Sequence, residues 1–246
     1  MATFDDAISD VVDIISVSLG YNFALNYTED VIAIGAFHAM QHGILTSTSA
    51  GDNGPLPFSI VGVAPWMISA AASTTDRQFV DKVILGDNTT LMGSVIINGF
   101  DLKGKMFPLI AGYQAVNTSF CSIEDGRNPK ATIMKSEIVR DVNAPTVNSF
   151  SSRGPNPITP DILKPDITAP GAEIFAAWSP VGLLSEFQSD TRSGKYNIVT
   201  GTSMACPHVS GAAAYVKTFH PHWSPSAIKS ALMITASPMN VMRNPD

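Results

Sequence analysis

The chain has 246 residues, 45% hydrophobic and 15% charged, enough apolar content to bury a sizeable core as one globular domain and too much for a disordered polypeptide. A formal net charge of −6, a pI near 5.2 and the lack of any Lys/Arg cluster leave no basic field for a phosphate backbone, so nucleic acid is excluded as a partner. No apolar run approaches the roughly 18 residues that a bilayer span needs, Trp66 to Ala72 being too short, and no membrane is expected.

Met1 to Asp6 offers neither a basic nor an apolar segment, so nothing there resembles a secretory leader. Val11 to Val17 reads as an apolar strand broken only by Asp13 and Ser16, as in a parallel strand buried on both faces, and it stops at Ser18-Leu19-Gly20. Glu29 to Gln41 reads as a helix with Ile32, Phe37 and Met40 for its core face and Gly43 as its C′ glycine; Ile44 to Ser49 is the next strand. Strand, helix and strand in this order form a βαβ unit, whose right-handed crossover points to a doubly wound α/β sheet. Trp66 to Ser73 gives another strand, and Val80 to Gly99 a hairpin around Gly86-Asp87-Asn88, whereas Asp101 to Asn128 carries no assignable period. Pro145 to Phe150 and Ile174 to Trp178 read as short strands flanking a Pro-rich loop from Gly154 to Gly171. Ser224-Pro225 starts the last helix as N-cap and N1, and it runs to about Ala236.

The chemistry concentrates in Gly201-Thr202-Ser203-Met204-Ala205-Cys206-Pro207-His208, where a tight loop turns into a helix. Thr202 and Ser203 favour an N-cap, and Pro207 is tolerable in a first turn because the N–H it lacks has no intrahelical partner there. Small side chains from Ser210 through Ala214 allow close neighbours and predict a helix buried on all sides, ended by His220-Pro221. A hydroxyl at its start feels the positive end of the helix dipole, and adjacent N–H groups can stabilise an oxyanion. An isolated Gly-Thr-Ser is ordinarily only a cap. Here the surroundings are GTSMACPHVSGAAAYVK and HWSPSAIKSAL, with FDDAISDVVDIISVSLG, AIGAFHAMQHGILTSTSAG, FSSRGPN and LKPDITAPG upstream in that order.

These motifs resemble the subtilisin-like serine proteases, most of all their plant, cucumisin-like branch. The resemblance implies a partial peptidase domain over residues 1–246, an α/β fold with a parallel sheet flanked by helices and incomplete on its N-terminal side. It implies peptide-bond hydrolysis by a Ser–His–Asp triad with an oxyanion-hole Asn. Ser203 matches the nucleophile; Ser18, Leu19 and Gly20 match the strand end that pairs with an extended substrate, and Ser49, Ala50 and Gly51 the opposite wall of the primary specificity pocket. The family's Asp and His motifs belong upstream of Phe4 and are absent. None of the five histidines matches the base, and His38, His42, His208, His220 and His222 are each expected to be structural.

At the oxyanion position the family has Ala-Gly-Asn-x-Gly-Pro, whereas this chain has Ala50-Gly51-Asp52-Asn53-Gly54-Pro55. An ionised carboxylate only accepts hydrogen bonds, so Asp52 replaces a donor, and Asn53 stands one residue late unless the loop shifts. Asp-Asn-Gly is also a turn in its own right. Residues 101–144 match what would remain of a largely deleted protease-associated insert, with Cys121 resembling a cysteine at its start. Cys121 and Cys206 are the only cysteines; no disulfide between them, no metal and no cofactor are expected. The resemblance implies an extracellular protein, compatible with the sequons at Asn26, Asn88 and Asn117. Three readings follow: a serine endopeptidase by family that is inactive in this chain alone, partnered by an extended polypeptide substrate and an N-terminal segment of the same domain; a non-catalytic peptide-binding protein; or a nonfunctional fragment of a truncated gene.

Overall fold

Phe4 and Ile8 stand four residues apart and so share one face of α1 (Ala2–Ser9) in the computed structural model, which describes residues 2–93, 102–108, 130–184 and 193–239. The helix closes through Asp10, Val11 and Val12, whose amides return to the carbonyls of Asp6, Ile8 and Ala7, with Val11 at a φ of 55°. The strand expected from Val11 is therefore shorter: β1 (Ile14–Val17) begins only after this turn, which two consecutive valines disguise in the sequence. α2 (Val31–Gln41) starts after Asp30 rather than at Glu29, because the Asp30 carboxylate accepts from the Ile32 N–H at 2.8 Å and caps the helix. Its core face consists of Ala33, Gly35, Ala36 and Ala39 rather than Phe37, since the Phe4 ring covers Gly35 so closely that a Cβ there would overlap it. Gly43 ends the helix as expected, with a φ of 80° and its N–H on the Met40 carbonyl.

β2 (Leu45–Ser49) lies parallel to β1, Ile14 opposite Leu45 and Val17 opposite Thr48, so the βαβ unit is present as expected. β3 (Ile68–Ser73) pairs in parallel with β2, and both are buried along their whole length. Residues Arg77–Val142 then form a compact unit of their own. In it β4 (Arg77–Leu85) pairs antiparallel with β5 (Thr90–Gly93) across the expected turn at Gly86-Asp87-Asn88. β6 (Phe107–Pro108) pairs with β7 (Lys130–Ile133), and β7 and β8 (Glu137–Arg140) both pair with β4. The far end of the expected hairpin, Asn117, Cys121 and much of 101–144 lie outside the described residues.

The first unit resumes at Asn143. Pro145 to Phe150 is not the expected strand: Val147 makes a single bridge to Ser73 before the chain turns. Inside the expected Pro-rich loop lies β9 (Ile167–Pro170), parallel to β3 and completing the sheet order β1-β2-β3-β9. Four residues ending in proline carry no strand signal of their own; tertiary pairing makes them one. β10 (Ile174–Ala177) pairs antiparallel with β11 (Tyr196–Val199), a strand absent from the sequence reading.

α3 (Thr202–Phe219) lays Ala205, Cys206, Val209 and Ala213 on Leu45, Ile68, Ala70 and Ala72, together with Ile228 of α4 (Pro225–Thr235). The expected burial on all sides does not hold, because the sheet covers only one face: Gly211, Ala212 and Ala214 are exposed, as are Tyr215 at 69% and Phe219 at 63%. α4 begins as expected, the Ser224 hydroxyl accepting from the Ala227 N–H with Pro225 in the first turn.

Just before β9, Lys164 is buried, its Nζ donating to the Met67 carbonyl at 3.0 Å, Ser69 Oγ at 3.1 Å and Asp166 Oδ2 at 2.5 Å. Lys229 of α4 reaches Asp166 Oδ1 at 2.8 Å, so one buried carboxylate ties β9, β3 and α4 together. Burial pushes the Lys164 ammonium from 10.5 down to about 8, opposed by Asp166 and assisted by Lys229. The folded value lies below the unfolded one, so between these two pH values the unfolded chain holds more protons and stability from this group rises with pH. The rise cannot exceed about 1.4 kcal/mol per pH unit for one group. Lys164→Met should lose it, read as the pH slope of urea unfolding free energy across that window; an unchanged slope would contradict the assignment.

Candidate active site

The first turn of α3 begins with unpaired backbone N–H groups, and Gly201 at the N-cap position has no side chain to meet them. Asp52 supplies the cap from the loop after β2: its Oδ1 accepts from both the Thr202 N–H and the Thr202 hydroxyl at 2.8 Å. Thr202 Oγ1 in turn accepts from the Gly51 N–H at 3.1 Å. This corrects the expectation that Thr202 or Ser203 caps the helix; Thr202 is its first residue, and its hydroxyl joins the two loop residues. A Cβ at Gly201 would stand 3.1 Å from Asp52 Oδ2, so glycine leaves the carboxylate its room. The negative charge lies at the positive end of the helix, where the dipole favours it.

On the other side, Ser18 Oγ donates to the Ser203 carbonyl at 2.9 Å, and Ser203 Oγ donates to the Ser18 carbonyl at 3.4 Å. One turn along, Cys206 Sγ lies 3.5 Å from Ser47 Oγ and 3.6 Å from Ser16 Oγ, and Ser210 Oγ donates to Ser16 Oγ at 2.7 Å. The ends of β1 and β2 thus converge on one helical turn. Ser18 touches Ser203, and Gly51 touches Thr202. Leu19, 74% exposed, and Gly20 lie open beside them, while Ser49 and Ala50 are buried behind, Ala50 donating its N–H to the Ala70 carbonyl.

Asn53 does not take the donor position. Its Nδ2 donates to the Asn22 carbonyl at 3.0 Å and its N–H to Ser152 Oγ at 3.0 Å, both away from residues 201–203. Three of the five histidines are engaged elsewhere: the His208 ring with the Met204 carbonyl at 2.8 Å, the His42 ring with the His38 carbonyl at 2.9 Å, and His220 stacked on Trp223. Among the described residues no imidazole bonds Ser203, no group of three or more His, Cys, Asp or Glu could hold a metal ion, and no helix is long and apolar enough to cross a membrane. The site therefore presents a serine hydroxyl, the strand-end carbonyl of Ser18 and, beside them at the start of α3, the accepting carboxylate of Asp52.

Sequence reasoning missed Val61. Its N–H donates to the Ala50 carbonyl at 2.9 Å, and its side chain packs on the residues after both strands: Cγ2 would stand 3.7 Å from a Cβ at Gly20 and 2.8 Å from one at Gly51. Nothing in the apolar run from Ile60 to Val63 singles it out, because only the folded loop brings it between residues distant in the chain.

A family model described as the Subtilase family matches residues 1–245. The chain is 47% identical to subtilisin-like protease SBT4.8 and 53% identical to subtilisin-like protease SBT4.10, both of Arabidopsis thaliana, with 98% of this chain covered in each case and 40% and 38% of those relatives. It thus spans about two fifths of the length of the curated relatives it matches. Among solved structures it is similar to Sphericase, with a TM-score of 0.54 and 21% identity, covering 96% of this chain and 52% of that one. The S41 psychrophilic protease gives 0.52 and 22%, over 96% and 53%. At these identities the structural likeness speaks for the fold, an α/β architecture with a parallel sheet and helices.

If Asp52 holds the start of α3, Asp52→Ala should destabilise the protein by about 1–2 kcal/mol, the usual cost of a lost N-cap. Asp52→Asn, which keeps an acceptor oxygen, should cost less. Urea unfolding of the three proteins checks this ordering, and an unchanged Asp52→Ala midpoint would contradict it.

Proposed function

The chain belongs to the subtilase family, and on that premise we propose that it carries the nucleophile and the substrate-binding strand ends of a serine endopeptidase acting outside the cell. The supporting observation is the placement of Ser203 in the first turn of α3, in contact with the end of β1 through Ser18, while its neighbour Thr202 contacts the end of β2 through Gly51. An extended polypeptide laid along Ser18-Leu19-Gly20 on one side and Ser49-Ala50-Gly51 on the other brings a carbonyl carbon to Ser203 Oγ. Oγ then forms a bond to that carbon and gives up its proton. The C–N bond breaks as the leaving amine takes a proton, and water releases the acyl group.

Among the described residues two requirements of that sequence are unmet. A serine without a base stays protonated and weakly nucleophilic, and Asp52 offers an acceptor to a developing negative charge. The reading therefore assigns the base and its aspartate to a preceding segment of the same domain, as a partner. In support, the relatives are more than twice as long, and among the described residues β1 ends the sheet with one edge unpaired and α3 keeps an uncovered face. A second reading, a peptide-binding protein without catalysis, is favoured by the same carboxylate, because the strand ends persist where the oxyanion donor does not.

With a generic peptide substrate, the purified chain and its Ser203→Ala variant should show equal, background cleavage. Turnover that disappears in the variant would place a base within this chain. When a segment bearing the family's Asp and His is supplied, hydrolysis should become dependent on Ser203. Asp52→Asn should then raise turnover at neutral pH by roughly a hundredfold, the order of loss known from subtilisin itself on removal of one oxyanion donor. Equal rates would show that another group already donates, and a reconstituted protein that binds peptide without cleaving it would favour the second reading.

A further inference from the structure

We propose that Asn88, at the tip of the hairpin formed by β4 and β5, carries an N-linked oligosaccharide. The inference rests on the reading of an extracellular protein and adds to it a covalent modification at a named atom, Asn88 Nδ2.

Asn88-Thr89-Thr90 has the acceptor spacing, an amide followed two residues later by a hydroxyl with no proline between them. The hairpin presents it at its outermost point. The Leu85 N–H donates to the Thr89 carbonyl at 2.9 Å and the Asn88 N–H to the Leu85 carbonyl at 2.9 Å, so Gly86, Asp87 and Asn88 make the connection. A connection of this length ends on a left-handed residue, and Asn88 has a φ of 67°, which asparagine adopts more readily than most side chains. Its side chain is not spent on holding the turn. Asp87 does that, its Oδ1 accepting from the Thr89 N–H at 2.9 Å, and bonds from the Thr89 backbone and hydroxyl hold the Asp87 carboxyl below its ordinary range. Among the described residues the Asn88 amide and the Thr90 hydroxyl have no hydrogen-bond partner, and Gly86 through Thr90 are all exposed.

The sequon at Asn26 is built into the fold instead. Asn26 Nδ2 donates to Glu29 Oε2 at 3.2 Å, and its carbonyl accepts from the Glu29 and Asp30 N–H groups at 2.9 Å just before α2. The ring of the middle residue, Tyr27, packs edge-on against Trp66, and its hydroxyl accepts from Asn156 Nδ2 at 3.1 Å. Asn117 lies outside the described residues. In the modification, Asn88 Nδ2 bonds to C1 of the first sugar of an oligosaccharide carried on a lipid diphosphate. The C1–O bond breaks with its electron pair leaving on the diphosphate, and Nδ2 gives up one proton. An exposed loop tip of small polar residues accepts such an addition without losing a contact of the fold.

The test translates the full chain behind a cleavable secretory leader in the presence of microsomes and counts oligosaccharides by the mass that an endoglycosidase removes. Two variants destroy the sequon: Asn88→Asp keeps a short polar side chain at the left-handed position, and Thr90→Ala leaves Asn88 itself in place. Each should carry one oligosaccharide fewer than the parent, and the same loss from both assigns it to the sequon rather than to a disturbed turn. A parent chain whose leader is cleaved but which carries no more sugar than the variants would overturn the assignment while leaving the extracellular reading intact. Mass spectrometry of the Asn88 peptide from the protein purified from its natural source should show the same modification. An unmodified peptide there, despite modification in microsomes, would overturn the extracellular reading and the glycan with it.

Discussion

The carboxylate of Asp52 at the start of α3 is the contact on which the site depends. The helix opens with N–H groups that no residue within it can satisfy, and Gly201 contributes none of the usual capping oxygens. A charged acceptor borrowed from the loop after β2 takes the first of them, the Thr202 N–H, together with the Thr202 hydroxyl, and charge-assisted bonds of this kind are the stronger class. Because that acceptor belongs to the loop, the cap fixes two things together: where α3 begins and where the loop at Gly51 lies against it. Ser203 takes its position from the same bond. The arrangement also carries an internal conflict, since the helix end that would welcome an oxyanion already holds an anion of the protein's own.

The remaining order follows from burial on one side. Small residues of α3 let it settle closely on the four parallel strands, and the Lys164–Asp166–Lys229 cluster locks the far strand and α4 onto the same sheet. A lysine with its side chain wholly out of water is costly unless every proton finds an acceptor, and Lys164 finds a carbonyl, a hydroxyl and a carboxylate. The opposite face of α3, at Gly211, Ala212, Ala214, Tyr215 and Phe219, is left exposed among the described residues. Small side chains there are suited to another backbone passing close by, which is why the sequence reads as a fully buried helix although the sheet covers only half of it.

What the sequence discloses depends on how local each cause is. Gly43, the apolar strand ending at Val17 and the Ser224-Pro225 start of the last helix announce themselves because turn, period and cap lie within a few residues. Ser203 is legible through its motif. β9 and β11 are not, because each is four residues long and owes its extended form to a partner strand distant in the chain. Val11 misleads because an apolar pair satisfies the pattern of a strand while the hydrogen bonds of α1 bend it into a turn. The role of Asp52 as a cap, and the reach of Val61 across to Gly20 and Gly51, arise from loops folding onto one another, and no spacing in the chain encodes them.

The reciprocal bonds between Ser18 and Ser203 bear on timing. Ser203 Oγ rests at 3.4 Å from the carbonyl of the very residue whose backbone the proposed polypeptide would pair with. On that proposal an incoming peptide N–H becomes a second donor to this carbonyl, whose two lone pairs can hold both, and of the two bonds the hydroxyl's is the longer and the weaker. On the same proposal occupancy of the groove loosens the hold on the hydroxyl, and its reactivity toward a chemical modifier would then differ between the occupied protein and the empty one.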